Sequence, residues 1–226
     1  MSQATTAQEY AARYRDAFEH GGLMQGDWHS ERDGREVACA LGVIGKDVNG
    51  PSKCPAQIMP RWLAQMVPGF FDRQKEADAF AWGLAFTAEL ARINGAVPFS
   101  VVHDWHANTV CQLGIDAAEK CGRDTAPHKA LQALHLRALA GEKIHADGYE
   151  RTSPVCTYPA DAFADANANA NANANAYADA YADAFADANA YAFADANANA
   201  YAYAYAFAWK LLADGMVAAL SRVEAV

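Results

Sequence analysis

The sequence predicts an α+β fold: a compact all-α N-terminal domain, then a narrow alanine-cored β-solenoid and a C-terminal capping helix. Two patterns support this expectation. Apolar residues recur with helical spacing over roughly the first 140 residues, and alanine later alternates strictly with other residues. The expected parts are a helical domain over residues 1–146, a linker over 147–159, the repeat over 160–208 and the capping helix over 209–226.

The repeat has a period of two. Every even-numbered residue from Ala160 to Ala208 is alanine, and the odd positions between them hold Asn, Asp, Tyr or Phe. Because successive side chains of a β-strand point to opposite faces, this period is typical of a strand. A single strand over the whole repeat would be about 160 Å long, so we expect short strands that fold back on one another with alanine inside.

A helix and a disordered tract are the alternatives for the repeat. A step of two residues rotates by about 200° around a helix, so no apolar stripe forms, although alanine has the highest helix propensity. The Tyr and Phe residues of the repeat oppose disorder, because disordered segments are poor in aromatic residues.

Helical patterns ended by Gly or Pro divide the N-terminal domain. They predict helices over Thr5–His20, Val37–Ile44, Pro55–Val67, Gln74–Asn94, Ser100–Lys120 and Pro127–Leu139. The second is short enough to be a buried strand, and we favour a helix because its neighbours are helical. Pro60 is expected to kink the third helix, and Phe80 and Leu84 are expected on the core side of the fourth. Past the repeat, Trp209 and Leu212 begin the apolar stripe of the capping helix.

Charge and composition exclude some function classes. The net charge is −9, and the repeat contains Asp but no Lys or Arg, so no basic patch indicates a nucleic-acid partner. Five widely spaced cysteines without a C-x-x-C pair are typical of free thiols in a reducing compartment. We see no signal peptide and no long apolar span, and therefore expect a cytoplasmic protein without a membrane partner or a cofactor.

An eleven-residue motif is the main basis for a resemblance to a known group of proteins. Residues 54–64 read C-P-A-Q-I-M-P-R-W-L-A, and Trp28 precedes the run Val37-Ala38-Cys39-Ala40-Leu41. In these two motifs, and in the order of its parts, the chain resembles a group of uncharacterised bacterial and phage-type proteins. Those proteins have a helical head, an alternating small-residue tail and a short C-terminal helix. The resemblance implies a very small β-solenoid and a phage or prophage setting, and it brings no catalytic residue.

One cluster has the residue types of a metal or catalytic site. His103 and His106 are three residues apart, which places both on one face of a helix, and Asp104 could orient a ring or act as a base. His29 could add a ligand from an earlier loop. A small metal-dependent enzyme centred on this cluster is therefore an alternative function, although two such His residues are more often at a surface or interface. Cys39 is expected to be a buried thiol rather than a nucleophile.

The predicted partner-binding residues are mostly aromatic. They are Tyr177, Tyr181, Phe185, Tyr201, Tyr203, Tyr205 and Phe207 on the outer wall of the repeat, with Arg61 and Trp62 in the N-terminal domain. Exposed rings mark contact surfaces, or they could stack on each other and hold the coils in register. We therefore expect a non-enzymatic interaction protein that binds a protein partner or associates with itself. A third hypothesis is an acidic decoy, whose Asp residues inhibit a nucleic-acid enzyme.

Overall fold

The computed structural model describes residues 4–142 and 198–225, and the side chains of the latter range from Tyr205 onward. The chain divides into two units. The N-terminal unit contains the residues up to Pro98 together with those from Leu220 onward, and the second unit is Phe99–Ala219. The elements of the N-terminal unit are α1 (Ala7–Glu19), β1 (His29–Arg32), β2 (Arg35–Ala38), 3₁₀ turns at Gly42–Ile44 and Pro51–Lys53, α2 (Arg61–Asp72) and α3 (Glu76–Arg92).

Side chains cap helix ends in the N-terminal unit. Thr6 precedes α1, and its hydroxyl accepts the N–H of Glu9 at 3.1 Å, while the Glu9 carboxylate accepts the N–H of Thr6 at 3.3 Å. This reciprocal capping box satisfies N–H groups that the first helical turn leaves without partners. Near the C-terminus of the chain, the Arg92 guanidinium donates to the carbonyls of Leu220 and Val223, each at 2.8 Å. The carbonyls at that helix end are therefore also satisfied.

A two-stranded antiparallel sheet corrects the prediction of an all-α domain. Strands β1 and β2 pair with Arg32 opposite Arg35. The turn between them is Asp33-Gly34, with φ angles of 52° and 73°. A two-residue hairpin turn requires such positive angles, and Asp-Gly is among the pairs that adopt them most readily. The predicted helix over Val37–Ile44 is therefore wrong, because its first residues complete β2 and its last residues form the first 3₁₀ turn.

Helix α2 begins and ends later than the sequence predicts. The segment from Pro55 to Pro60 precedes the helix, and Pro60 is the N-cap rather than a kink. Pro68, which the prediction places after the helix, lies inside it. An interior proline removes one backbone hydrogen bond. The helix continues because Phe70 and Phe71 beyond the proline are buried, each with 1% of its surface exposed.

Helix α3 spans nearly the predicted residues but buries a different face. Phe80 and Leu84, expected in the core, are only half-buried. The buried residues are Ala79, Trp82, Gly83, Phe86, Thr87 and Leu90. The rings of Trp82 and Phe86 stack with centroids 4.8 Å apart, and Trp82 also contacts Phe70 of α2 at 5.8 Å. Packing of large rings between the two helices therefore selects the buried face.

The second unit is helical in its described part. Its elements are α4 (Ser100–Trp105), a π-helical turn (His106–Val110), α5 (Cys111–Lys120), α6 (Ala126–Leu139) and most of α7 (Ala198–Ser221). The first three form one continuous segment over the predicted range. Helix α6 packs against all three parts of this segment, and Gln132 of α6 donates to the carbonyl of Ala107 at 2.8 Å.

The predicted β-solenoid is wrong where the structure describes the repeat. Residues from Ala198 to Ala208 are α-helical and continue into the expected C-terminal helix. The high helix propensity of alanine outweighs the period of two there, and the packed half of the helix supplies the nucleus for it. The buried residues of α7 are Ala208, Trp209, Leu212, Ala213, Gly215, Met216, Ala219 and Leu220. The predicted linker and residues 160–197 of the repeat lie outside the described residues.

Candidate functional site

The second unit contains a cluster of three histidine rings. His103 of α4 and His106 of the π-helical turn lie on one face of the segment, as their spacing predicts, and His135 of α6 contacts both. The Nδ1 atoms of His103 and His135 are 3.0 Å apart, so one of them donates a hydrogen bond and the other accepts it. The rings of His106 and His135 stack with centroids 4.6 Å apart and planes 13° apart.

The π-helical turn positions His106. In this turn the N–H of Cys111 donates to the carbonyl of His106, five residues earlier, rather than to the usual carbonyl four residues earlier. Gln132 of α6 donates to the carbonyl of Ala107 within the widened turn. Turns of this kind occur frequently at functional sites, and this one fixes the stacked ring against α6.

Burial keeps the histidine cluster uncharged at neutral pH. His106 is 4% exposed and His135 is 2% exposed, and His103 is half-buried. Burial and, to a smaller extent, the neighbouring His103 together lower the pKa of His106 to about 3. Burial also lowers the pKa of His103, and burial together with the two neighbouring imidazoles places the pKa of His135 well below its ordinary value. The cluster is therefore a neutral network of imidazoles.

The geometry gives the metal-dependent enzyme hypothesis no support. Asp104 accepts a hydrogen bond from Asn108, one turn along the same segment, at 3.2 Å. His29 belongs to the N-terminal unit, where its Nε2 atom is 3.3 Å from the carbonyl oxygen of Val48. Within residues 4–142 and 198–225, no three His, Cys, Asp or Glu side chains are grouped so that they could hold a metal ion.

His135 is not among the site residues that the sequence predicts. The available signal was its place in the apolar pattern of α6, four residues after Leu131 and next to Leu134, both of which are buried. A polar residue on the buried face of an amphipathic helix requires a hydrogen-bond partner. The identity of that partner depends on which helix packs against α6, and the sequence pattern does not show this.

A small cavity of about 70 Å³ lies in the N-terminal unit. It is lined by residues 26–28, Cys39 and the end of α2, including Asp72. Burial raises the pKa of the Cys39 thiol to about 11, so the thiol is protonated at neutral pH and is a poor nucleophile. The expectation that Cys39 is a buried thiol is confirmed. Asp72 accepts the N–H of Gly26 at 3.1 Å, and its carboxylate thus holds the loop that lines the cavity.

The predicted partner-binding residues of the repeat fall partly within α7. Tyr205 is half-buried, and its ring contacts that of Trp209 at 6.3 Å. Phe207 is 47% exposed. Tyr201 and Tyr203 belong to the same helix, but their side chains are outside the described part. The other three predicted residues of the repeat lie outside the described ranges altogether; they are Tyr177, Tyr181 and Phe185.

The two remaining predicted residues lie at the start of α2. Arg61 is the first residue of the helix and is exposed, whereas Trp62 is half-buried. Arg and Trp are common anchors of protein interfaces. This pair therefore stays a predicted contact surface of the N-terminal unit.

No family model, curated protein or solved structure matches this chain. The resemblance drawn from residues 54–64 accordingly stays a prediction. Across the described helices, none combines the length and the apolar character needed to cross a membrane.

Proposed function

We propose that the chain is a non-enzymatic interaction protein that presents an aromatic side chain of α7 to a protein partner or to a second copy of itself. The exposure of Phe207 supports this proposal. It is 47% exposed, whereas the next two residues, Ala208 and Trp209, are buried. Aromatic side chains are enriched in protein interfaces and contribute much of the binding free energy there.

The helical conformation changes which residues can share a contact surface. In a strand, Tyr205 and Phe207 would point to the same face, whereas in a helix they are about 200° apart. Tyr205 accordingly contacts Trp209, while Phe207 is exposed. Lys210 and Asp214 follow on the exposed face and form an ion pair at 2.6 Å. The surface that supports the proposal is therefore one ring beside an ion pair, rather than a continuous aromatic wall.

Other elements of the sequence prediction remain proposals beside this one. Arg61 and Trp62 are a second candidate surface, in the N-terminal unit. The phage or prophage setting and the cytoplasmic location also remain predictions from the sequence. The acidic-decoy hypothesis depends on Asp residues that all lie within residues 161–195, outside the described part of the chain.

The proposal is tested by comparing Phe207→Ser with Phe18→Ser. Phe18 is a matched control because it is 39% exposed but belongs to α1 of the N-terminal unit. Sedimentation velocity over a range of concentrations measures self-association, and a photo-crosslinking residue at each position detects a heterologous partner in cells. We expect Phe207→Ser to weaken the association about tenfold or more, as loss of a central aromatic residue does.

Two results would distinguish a second copy of the chain from a different protein partner. Concentration-dependent dimerisation lost in Phe207→Ser indicates a second copy, whereas a monomer that gives a discrete crosslink at position 207 indicates another protein. Equal behaviour of positions 207 and 18 in both assays would disprove the proposal.

A further inference from the structure

A hydrogen bond that contains a single proton joins α6 to the segment Ser100–Lys120. The Nδ1 atoms of His103 and His135 are 3.0 Å apart, and this bond exists only when one nitrogen is protonated and the other carries a lone pair. A second proton converts the acceptor into a donor. Two N–H groups would then face each other, and the bond between the helices would be lost.

The stacked rings of His106 and His135 oppose protonation because of their burial and their closeness. His106 and His135 lie nearly parallel, with ring centroids 4.6 Å apart, and both are almost fully buried. A charge on either ring would lose its hydration, and charges on both would repel at short distance. The closed packing therefore accommodates neutral rings and excludes imidazolium ions.

Several charged groups on the surrounding helices bind partners outside the cluster. On the segment, Asp104 accepts from Asn108. Ion pairs on these helices include Lys129 with Glu119 and Arg137 with Glu142, and on α7 Lys210 with Asp214. His128 lies on α6, two turns before His135, and burial lowers its pKa although Asp124 acts in the opposite direction. The groups that bear on the ionisation of the cluster are thus mainly its own three rings.

We propose that His103, His106 and His135 form an acid-operated switch, in which protonation separates α6 from the segment Ser100–Lys120. The neutral rings hold the two helical elements together, and the charged rings are stable only in water. Opening uncovers the apolar cluster beneath α6, which consists of Cys111, Leu131 and Leu134. The switch thus converts a fall in pH into exposure of apolar surface.

The direction of the pH dependence follows from the lowered pKa values. A histidine whose pKa is lower in the closed state stabilises that state fully above its ordinary pKa of about 6.5, and this contribution is lost as the pH falls towards the closed-state pKa. For His106 the window extends from about 6.5 down to about 3. Between pH 7.5 and 5.0, each imidazole that ionises only on opening raises the opening equilibrium constant about 30-fold.

Two cysteines of α5 and its C-terminal end provide the measurement. Cys111 is buried beneath α6, whereas Cys121 is exposed. Pulse labelling of the full chain with a disulfide reagent that reacts at acidic pH, followed by peptide mass spectrometry, gives the ratio of Cys111 to Cys121 labelling. The ratio cancels the effect of pH on the reagent. We expect it to rise at least about 30-fold between pH 7.5 and 5.0, while the ratio of Cys39 to Cys121 stays constant because Cys39 belongs to the N-terminal unit.

Variants assign the effect to the cluster. His106→Phe keeps a flat ring against His135 but removes one ionisable group. The acid-induced rise in the ratio of Cys111 to Cys121 labelling should therefore be about 30-fold smaller than in the wild type. His128→Gln is the matched control on α6 and should respond to acid as the wild type does. A constant Cys111 ratio in the wild type, or a full rise in His106→Phe, would overturn the proposal.

A second measurement covers the case in which His106→Phe does not fold. Nuclear magnetic resonance of the wild-type imidazole carbons should show the three rings remaining neutral until the Cys111 ratio rises. If the rings ionise near pH 6.5 while Cys111 stays protected, the closed packing tolerates the charge and the proposal is wrong.

Discussion

The two units bury polar aromatic side chains in different ways. In the N-terminal unit, the hydroxyls of Tyr10 and Tyr14 donate to the backbone carbonyls of Ala40 and Phe80, at 2.9 and 3.3 Å. Burial raises the pKa of both tyrosines. In the second unit, buried imidazoles bind and stack on one another instead. The tyrosines therefore keep one protonation state in neutral and acidic solution, whereas the histidines do not.

This difference shows how the choice of partner controls the response of a core to pH. A backbone carbonyl does not titrate, so a buried hydroxyl that donates to it remains satisfied at any ordinary pH. An imidazole that depends on another imidazole requires a particular number of protons. The second unit also contains a contact of the first type, because the Trp105 indole N–H donates to the carbonyl of Leu212 at 2.8 Å. The second unit therefore contains both kinds of contact, one to a backbone carbonyl and one between imidazoles.

The largest expected effect is that of Trp105→Ala. The side chain is completely buried, so its removal should lower the free energy of unfolding of the second unit by about 3–5 kcal/mol. Trp105→Phe removes the hydrogen bond to Leu212 but retains one ring, and should cost less. Urea denaturation at pH 7.5 measures both variants. Because the Trp105 ring also lies edge-on to His106, with centroids 4.9 Å apart, only Trp105→Phe, which keeps a ring there, is compared at pH 7.5 and 5.0. Its loss of stability should be the same at both, since the contact with a backbone carbonyl does not depend on protonation. A loss confined to one pH would contradict this expectation.

A smaller effect is expected in the N-terminal unit from Gly83→Ala. A Cβ atom at this position of α3 would overlap the hydroxyl and ring of Tyr14. Overpacking of this kind costs about 1–3 kcal/mol, and the better helix propensity of alanine offsets about 1 kcal/mol of it. We expect a net loss of up to about 2 kcal/mol in thermal or urea unfolding. Gly50→Ala is the control, because no atom lies closer than 3.9 Å to its added Cβ. Equal stability of the two variants would show that Tyr14 is less tightly held than the geometry indicates.

The existence of most helices could be predicted because the signals are local. The range Ser100–Lys120 follows from apolar spacing, and the fit of His103 and His106 to one face follows from their separation by three residues. The Asp33-Gly34 turn is also a local signal for a hairpin, but the apolar run after it fits a strand or a helix, and the helical neighbours favoured a helix. The hairpin was thus predictable in principle.

The remaining features depend on contacts between distant parts of the chain. The buried face of α3 is selected by Phe70 of α2, and the continuation of α2 past Pro68 depends on the burial of the residues that follow. His135 joins its cluster from 32 positions beyond His103, so no spacing rule reveals it. In α7, a period of two favoured a strand, and alanine propensity with the packing of Trp209 favoured the helix that forms.

The smallest expected effect compares how the two units begin a helix. Thr6 caps α1 through its hydroxyl, whereas Thr125 precedes α6 without a side-chain cap, and Asp124 instead accepts the N–H of Ala126 at 2.9 Å. Thr6→Ala should therefore cost about 1 kcal/mol, while Thr125→Ala should stay within about 0.5 kcal/mol of the wild type. Amide hydrogen exchange in the first turn of each helix measures the two changes separately. Because the same substitution is made before both helices, a loss of similar size at Thr125 would mean that helix propensity or denatured-state effects, rather than the capping bond, determine the cost at Thr6.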